Sequence, residues 1–324
     1  MKIGSVEIDH FPLLLAPMED ITDRSFRRIA KKFGADLLFT EFVASEALIR
    51  NVKKSFTKLQ IDEDERPTGI QIYGHLIESM TEAAKIAEEA NPDLIDINFG
   101  CPVKKIAGRG AGSGIFQDTA KMIAMTEAIV KAVKLPVTVK TRLGWDDNNK
   151  VIDQLAERLQ DTGIKALTIH GRTRAQLYKG TADWTLIGKI KNNPAIHIPI
   201  IGNGDITDGP SAKAAIEKYG VDGIMIGRAA IGRPWIFKEL RHYLETGEEM
   251  PEPSVEEKVA IAKEHFLESL RLKGEPRGIF EMRRHFALYF KGLPHFKPLR
   301  LKLLTSLDQK EIFDLLDEIA ETYG

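Results

Sequence analysis

The 324-residue chain has one cysteine, Cys101, so no internal disulfide can form. No CxxC or other metal-ligand spacing accompanies it, and no metal is expected. There is also no uninterrupted apolar run near the ~20 residues that cross a bilayer, so a membrane-spanning helix and a membrane partner are not expected. Charge of one sign is missing too: 46 Lys and Arg against 47 Asp and Glu leave a formal charge of −1. Net charge therefore gives no reason to expect nucleic acid, and any basic footprint has to be local. The first five residues lack the apolar stretch of a secretory signal, which with the lone thiol makes a cytoplasmic protein the expectation.

What is present is a repeat. Short apolar runs at residues 13–16, 37–40, 68–72, 94–98, 137–140, 166–170, 199–203 and 223–227 alternate with amphipathic helical patterns. Gly34, Gly163 and Gly220 each follow a helical stretch where a left-handed residue is wanted, and each leads into the next apolar run. Asp208 before Pro210 reads as a helix start. Eight such units predict an α/β fold, a (β/α)8 TIM barrel over residues 1–245. After a Gly/Pro/Glu-rich link, Ser254 to Glu257 reads as a capping box, and further helical stretches at about 280–291 and 308–322 complete a small helical domain over 246–324.

In a parallel barrel the carboxyl ends of the strands share one rim, where such folds place their chemistry. Here those ends carry Pro17-Met18, Glu41, Gln71, Asn98, Lys140, His170, Asn203 and Gly227-Arg228. A cation fixed at Lys140 can hold an anion, form a Schiff base, stabilise charge on a cofactor ring, or simply make an ion pair. Asn203-Gly204-Asp205 and Gly227-Arg228 follow strands seven and eight, where barrels bind phosphate through backbone N–H groups. Cys101 follows the fourth run between Gly100 and Pro102, so it sits on a stiff loop at the rim. A lone cysteine is more often a small buried apolar residue, and position alone does not make it catalytic.

The helical tail breaks the charge balance. Between Arg271 and Lys302 nine basic residues, Arg283 and Arg284 among them, face only Glu275 and Glu281. That pattern suits either a solvated face or a surface that follows RNA phosphates.

Together these motifs resemble the bacterial tRNA-dihydrouridine synthases, most nearly the B subfamily, over nearly the whole chain. The likeness is carried by Ala16-Pro17-Met18 with Thr22-Asp23-Arg24, Gln71-Ile72-Tyr73-Gly74, Asn98-Phe99-Gly100-Cys101-Pro102, Lys140-Thr141-Arg142, His170-Gly171-Arg172-Thr173, Asn203-Gly204-Asp205 and Gly227-Arg228. In the tail, Arg284-His285 and residues 289–294 match as well. The resemblance implies an FMN enzyme that takes hydride from NADPH, or NADH, and reduces uridine in tRNA. It implies FMN contacts at Pro17, Met18, Glu19, Gln71, Lys140, His170, Asn203, Gly204, Asp205, Gly227 and Arg228, with Cys101 as the general acid at C5. Asn98 and Arg142, with Lys140, would hold the uracil edge. Arg109, Arg172 and Arg174 would line the mouth, while Arg283 and Arg284 would grip RNA. A monomer is expected. Where the family often has small residues after Ala-Pro-Met, this chain has Glu19 and Asp20, so Glu19 is expected to contact FMN through its backbone.

Other readings stay open on residues alone: a flavin barrel reducing a free pyrimidine in the manner of dihydroorotate dehydrogenase, the same chemistry on ribosomal RNA, a Schiff-base aldolase using Lys140, or a non-catalytic RNA-binding module.

Overall fold

The computed structural model describes residues 1–324. Its eight barrel strands are Leu13–Leu15, Leu38–Phe39, Thr68–Tyr73, Leu94–Phe99, Val137–Arg142, Ala166–His170, Ile200–Asn203 and Gly223–Ile226. All run parallel, and the eighth pairs with the first. The second strand is too short for a full ladder with the first, so the ring closes through a Leu14–Leu37 bridge, with the Leu15 N–H donating to Leu37 O at 3.0 Å. This is the expected (β/α)8 barrel. Val43–Ala44, unforeseen in the sequence, extends the wall by pairing with the third strand.

The glycines act as expected. Gly34, Gly163 and Gly220 have φ of +95°, +98° and +66°, a region costly for residues with a Cβ. Asp208 caps its helix by accepting from the Ser211 N–H at 2.8 Å, and Pro210 lies in the first turn.

Two strands not anticipated, Lys2–Ile3 and Val6–Glu7, form an antiparallel hairpin at the amino end of the barrel. Ile3, Val6 and Ile8 pack on Leu14, Leu37, Phe39, Leu94, Ala166, Ile201 and Met225, forming one apolar cluster inside the ring. The helices cover the outside through a 47-residue core.

The tail holds four helices: Val255–Lys273, Arg277–Tyr289, Lys297–Thr305 and Gln309–Tyr323. Ser254 and Glu257 form the expected capping box. The third of the four was not foreseen, and the reason is Pro298, which looks like a breaker but sits harmlessly in the first turn. Their core includes Phe266, Phe286 and Leu316, and also Trp235 from the end of the barrel segment. The tail docks on the first barrel helix, Arg24–Lys32, through ion pairs Arg28–Glu268 and Lys32–Glu264 and through Lys273–Asp23 at that helix's start.

Candidate active site

A cavity of about 660 Å³ opens at the carboxyl ends of the strands. Strand geometry sets its walls. The fifth strand runs past Lys140 to Arg142, and because side chains alternate, both aim the same way while Thr141 turns aside. Lys140 lies in register with Asn98 on the fourth strand, and both line the cavity.

The loop carrying Cys101 is held from beneath by a chain of buried polar groups. Asn98 Oδ1 accepts from the N–H groups of Gly100 and Cys101 at 3.0 and 2.9 Å. Its Nδ2 donates to Gln71 Oε1 at 2.8 Å, and Gln71 Nε2 donates to Asp96 at 2.6 Å. Thr138 donates to the other Asp96 oxygen, also at 2.6 Å. From above, the Cys101 carbonyl accepts from Ser113 N–H and Oγ. Gly112, at φ +53°, permits this approach: a Cβ there would stand 2.8 Å from that carbonyl. The thiol is in the cavity wall, 7% exposed, and burial pushes its pKa up. Cys101 therefore holds its proton at neutral pH.

Cationic groups stand around that thiol. Burial, and then the neighbouring Arg142 guanidinium, pull Lys140 down to about 8, so at pH 7 it is still mainly the ammonium; it donates to Asn203 Oδ1 at 3.2 Å. Asp96, raised to about 6 by burial, is the carboxylate nearest in effect to it. His170 is driven well below its usual value by burial and by the cations around it, so it is neutral. Arg172 Nη1 donates to His170 Nε2 at 3.3 Å, which puts the imidazole proton on Nδ1.

At the other end, the loops after strands seven and eight present the N–H groups of Gly204, Asp205 and Gly227, none of which meets a protein acceptor. The half-exposed Arg228 stands beside them. Three free amide donors and a guanidinium make an anion cradle. The Asp205 carboxylate does not spoil it, because that group accepts from Arg172 and from the Ala182 N–H, each at 2.7 Å, and lies 3.3 Å from Arg228.

Of the residues expected here, Pro17, Met18, Glu19, Asn98, Cys101, Lys140, Arg142, His170, Asn203, Gly204, Asp205, Gly227 and Arg228 share the cavity lining. Several of the expected residues have other duties or other places. Gln71 is fully buried behind Asn98, with both ends of its amide engaged, and the Asn98 amide is itself occupied with the Cys101 loop. Arg142 spends donors on the carbonyls of Gly100, Thr173 and Leu177, tying two loops together. Arg172, expected at the mouth, is buried, because Asp205 and the carbonyls of Lys179 and Gly180 take its guanidinium. Arg174 lies on the Trp145 ring, 4.5 Å from its centroid. Arg109 is exposed and outside the lining. In the tail, Arg283 caps the carbonyls of Thr305 and Ser306 and lies over Phe280, while Arg284 donates to the Asp20 carbonyl at 2.9 Å and pairs with its carboxylate at 3.1 Å. Glu19 and Asp20 thus have partners, Glu19 pairing with Lys58 at 2.5 Å.

Sequence reasoning missed Tyr178. The guanidinium groups of Arg142 and Arg228 lie 5.6 and 5.3 Å from its ring centroid, and it lines the cavity with them. The signal was its place on the His170 loop two residues before Gly180, which has φ +65°.

The family model "Dihydrouridine synthase (Dus)" matches residues 14–322. A probable tRNA-dihydrouridine synthase of Rickettsia bellii is 43% identical over 296 residues, covering 91% of this chain and 90% of its own. The tRNA-dihydrouridine synthase B of Pseudomonas putida is 42% identical over 290 residues, covering 90% and 86%. Among solved structures, a 2-naphthoyl-CoA reductase complex superposes with TM-score 0.59 at 12% identity, over 75% of this chain and 51% of that one. Histamine dehydrogenase from Rhizobium sp. 4-9 gives 0.57 at 13% identity, over 100% of this chain and 64% of the other. These two are likenesses of fold. No helix is long and apolar enough to cross a membrane.

Proposed function

Because the chain belongs to the dihydrouridine synthase family, a family of oxidoreductases, we propose that it reduces the C5–C6 double bond of a uridine in tRNA, with FMN as its cofactor and NADPH as reductant. The observation that carries this is one cavity with two differently equipped ends: a protonated thiol at one and an anion cradle at the other. FMN has matching parts. Its phosphate suits the free N–H groups of Gly204, Asp205 and Gly227 with Arg228, and its ring suits Lys140 and the Nδ1–H of His170. Pro17, Met18 and the backbone of Glu19 close that side, and Gln71 acts from behind by fixing Asn98. When bound, FMN supplies a hydride, received from NADPH, to C6 of the uracil.

The chain's own residues do the rest. Cys101 passes its proton to C5, so one hydride and one proton saturate the double bond, and the product is 5,6-dihydrouridine. The thiolate left behind is stabilised by the charges of Arg142 and Lys140 and takes a proton from water for the next cycle. Tyr178 and Arg142 shape the mouth above the base, and Lys140 keeps positive charge where electron density collects. A uridine in folded RNA reaches this depth only if it leaves its stack. Residues 1–245 act as the catalytic barrel and 246–324 as the RNA-holding part of a monomer. The test is a two-stage anaerobic experiment on purified protein. NADPH should bleach a bound FMN spectrum, and unmodified tRNA should then restore it with dihydrouridine as product. Protein that takes up no FMN, or whose reduced form ignores tRNA, would sink the proposal.

A further inference from the structure

We propose that Asp96 is a positioning residue for Cys101: its carboxylate gives the buried amide chain beneath the Cys101 loop a single direction, so that the loop always meets an acceptor. The inference rests on the uridine-reducing function above, which gives Cys101 its task, and adds what aims it.

Asp96 is 1% exposed and lies outside the cavity lining, so it is out of reach of anything the cavity holds. It stands two residues before Asn98 on the fourth strand, which puts both side chains on the same face. The groups facing it are Gln71 from the third strand and Thr138 and Lys140 from the fifth, and of these only Lys140 is charged. A buried carboxylate with two hydrogen bonds and no ion pair is costly to keep. An asparagine would fill the same space without charge, so the charge calls for a reason.

The reason lies in direction. Glutamine and asparagine carry an acceptor on one side of the amide and a donor on the other, and two of them in line bond equally well either way round. An ionised carboxylate can only accept. With Thr138 on one oxygen and Gln71 on the other, each at 2.6 Å, Asp96 obliges Gln71 to turn its NH2 down and its carbonyl up. Asn98 must then donate to Gln71, at 2.8 Å, and its own carbonyl is left facing the N–H groups of Gly100 and Cys101. Turned the other way, the Asn98 NH2 would face two backbone donors, and both would lose their only partner. The charge of Asp96 thus reaches the Cys101 loop as the orientation of two amides.

Cys101 is the sole cysteine, so alkylation of the FMN-loaded protein by iodoacetamide, counted by mass spectrometry, reads this loop. The wild-type thiol is buried with its pKa raised and should react slowly near neutral pH. In Asp96→Asn one acceptor faces two donors, and the chain loses its fixed direction. Cys101 should then alkylate about tenfold faster, and re-oxidation of the reduced protein by tRNA should slow about tenfold. Adding Gln71→Glu to Asp96→Asn is the rescue. The introduced amide donates to the introduced carboxylate, which accepts from Asn98, and alkylation should return to within about threefold of the wild type. Removing the Asp96 charge also weakens the Lys140 ammonium, but loss of that cation disfavours the thiolate and slows alkylation, so the two effects have opposite signs. An Asp96→Asn rate at or below that of the wild type, or a double variant no slower than the single one, overturns the proposal. If Asp96→Asn does not fold by circular dichroism, the wild type carries the test. Burial raises Asp96 to about 6, so its carboxylate is present above that pH and lost as pH falls through it. Hydrogen exchange, corrected for intrinsic rate, should show the Gly100 and Cys101 amides less protected at about pH 5 than at about pH 8, and equal protection overturns the proposal. A wild type inert towards tRNA overturns the function instead and leaves the alkylation result in place.

Discussion

The two ends of the barrel are built from the same eight strands and have opposite characters. At the amino end, Ile3, Val6 and Ile8 of the hairpin join Leu14, Leu37 and Phe39 in an apolar cluster that extends to Met225 in the wall of the cavity. At the carboxyl end, a few residues further along the same strands, the walls are Asn98, Lys140, Arg142, His170 and Asn203, with three backbone N–H groups left unpaired. Unpaired donors and desolvated cations are costly, so stability has to come from the closed end and from the helical shell. Stability and chemistry are thus separated along the strand axis, and the separation can be attacked from either side.

The largest effect belongs at the open end. Cys101→Ala should slow re-oxidation of the reduced protein by tRNA by roughly 10²- to 10⁴-fold, the usual worth of a placed general acid. Reduction by NADPH should stay within about twofold, since that half-reaction needs no proton at C5. Stopped-flow flavin absorbance separates the two, and an equal loss in both halves would make Cys101 a structural residue. The closed end should answer in the other currency. Ile3→Ala, at a side chain 1% exposed, should cost about 2–4 kcal/mol of stability. A lower Tm with unaltered rates at 25 °C is the expected pair of results, and altered rates would mean that the two ends are coupled.

A smaller effect follows from pH. Lys140 sits lowered to about 8, so its ammonium is fully present below about pH 7 and is lost as pH rises through 8. Cys101 moves the other way, its pKa raised, and keeps its proton across that range. Re-oxidation by tRNA should therefore fall about tenfold for each pH unit above 8, through Lys140 and not the thiol. In Lys140→Arg, which stays charged, the fall should disappear even if the rate is lower throughout; a fall that persists assigns the titration elsewhere.

How much of this contrast was legible in the sequence depends on the range of the forces involved. The strand ends were, because apolar runs ending in Asn98, Lys140, His170 and Asn203 announce a rim without knowledge of any contact. The hairpin was also written there, as Gly4-Ser5 between Ile3 and Val6, a two-residue turn with glycine at its first position and φ of +60°; two-residue strands are simply too short to show a period. The arginines were not legible. Arg172 is buried by Asp205, 33 residues away, and Arg284 is claimed by Asp20 from the other end of the chain. Charge is local in sequence, but the partner that cancels it is decided by the fold.

Arg284 gives the smallest prediction and the one that most sharpens the contrast between ends. It joins the tail to the loop that supplies Met18, Glu19 and Ile21 to the cavity, and Asp20 in that loop is held in the left-handed region at φ +58°. Asp20 is also tied from the barrel side, its N–H donating to Glu41 at 2.8 Å, so removing the arginine loosens the loop without releasing it. The pair is half exposed, which limits its strength. Arg284→Gln should therefore raise the Kd for FMN by only about threefold to tenfold, with the salt dependence of tRNA binding unchanged. An intact FMN affinity with a salt slope reduced by about 1 would instead make Arg284 an RNA contact. The first outcome would mean that the open end depends on the tail for its shape while the closed end, fastened by its own hairpin, does not.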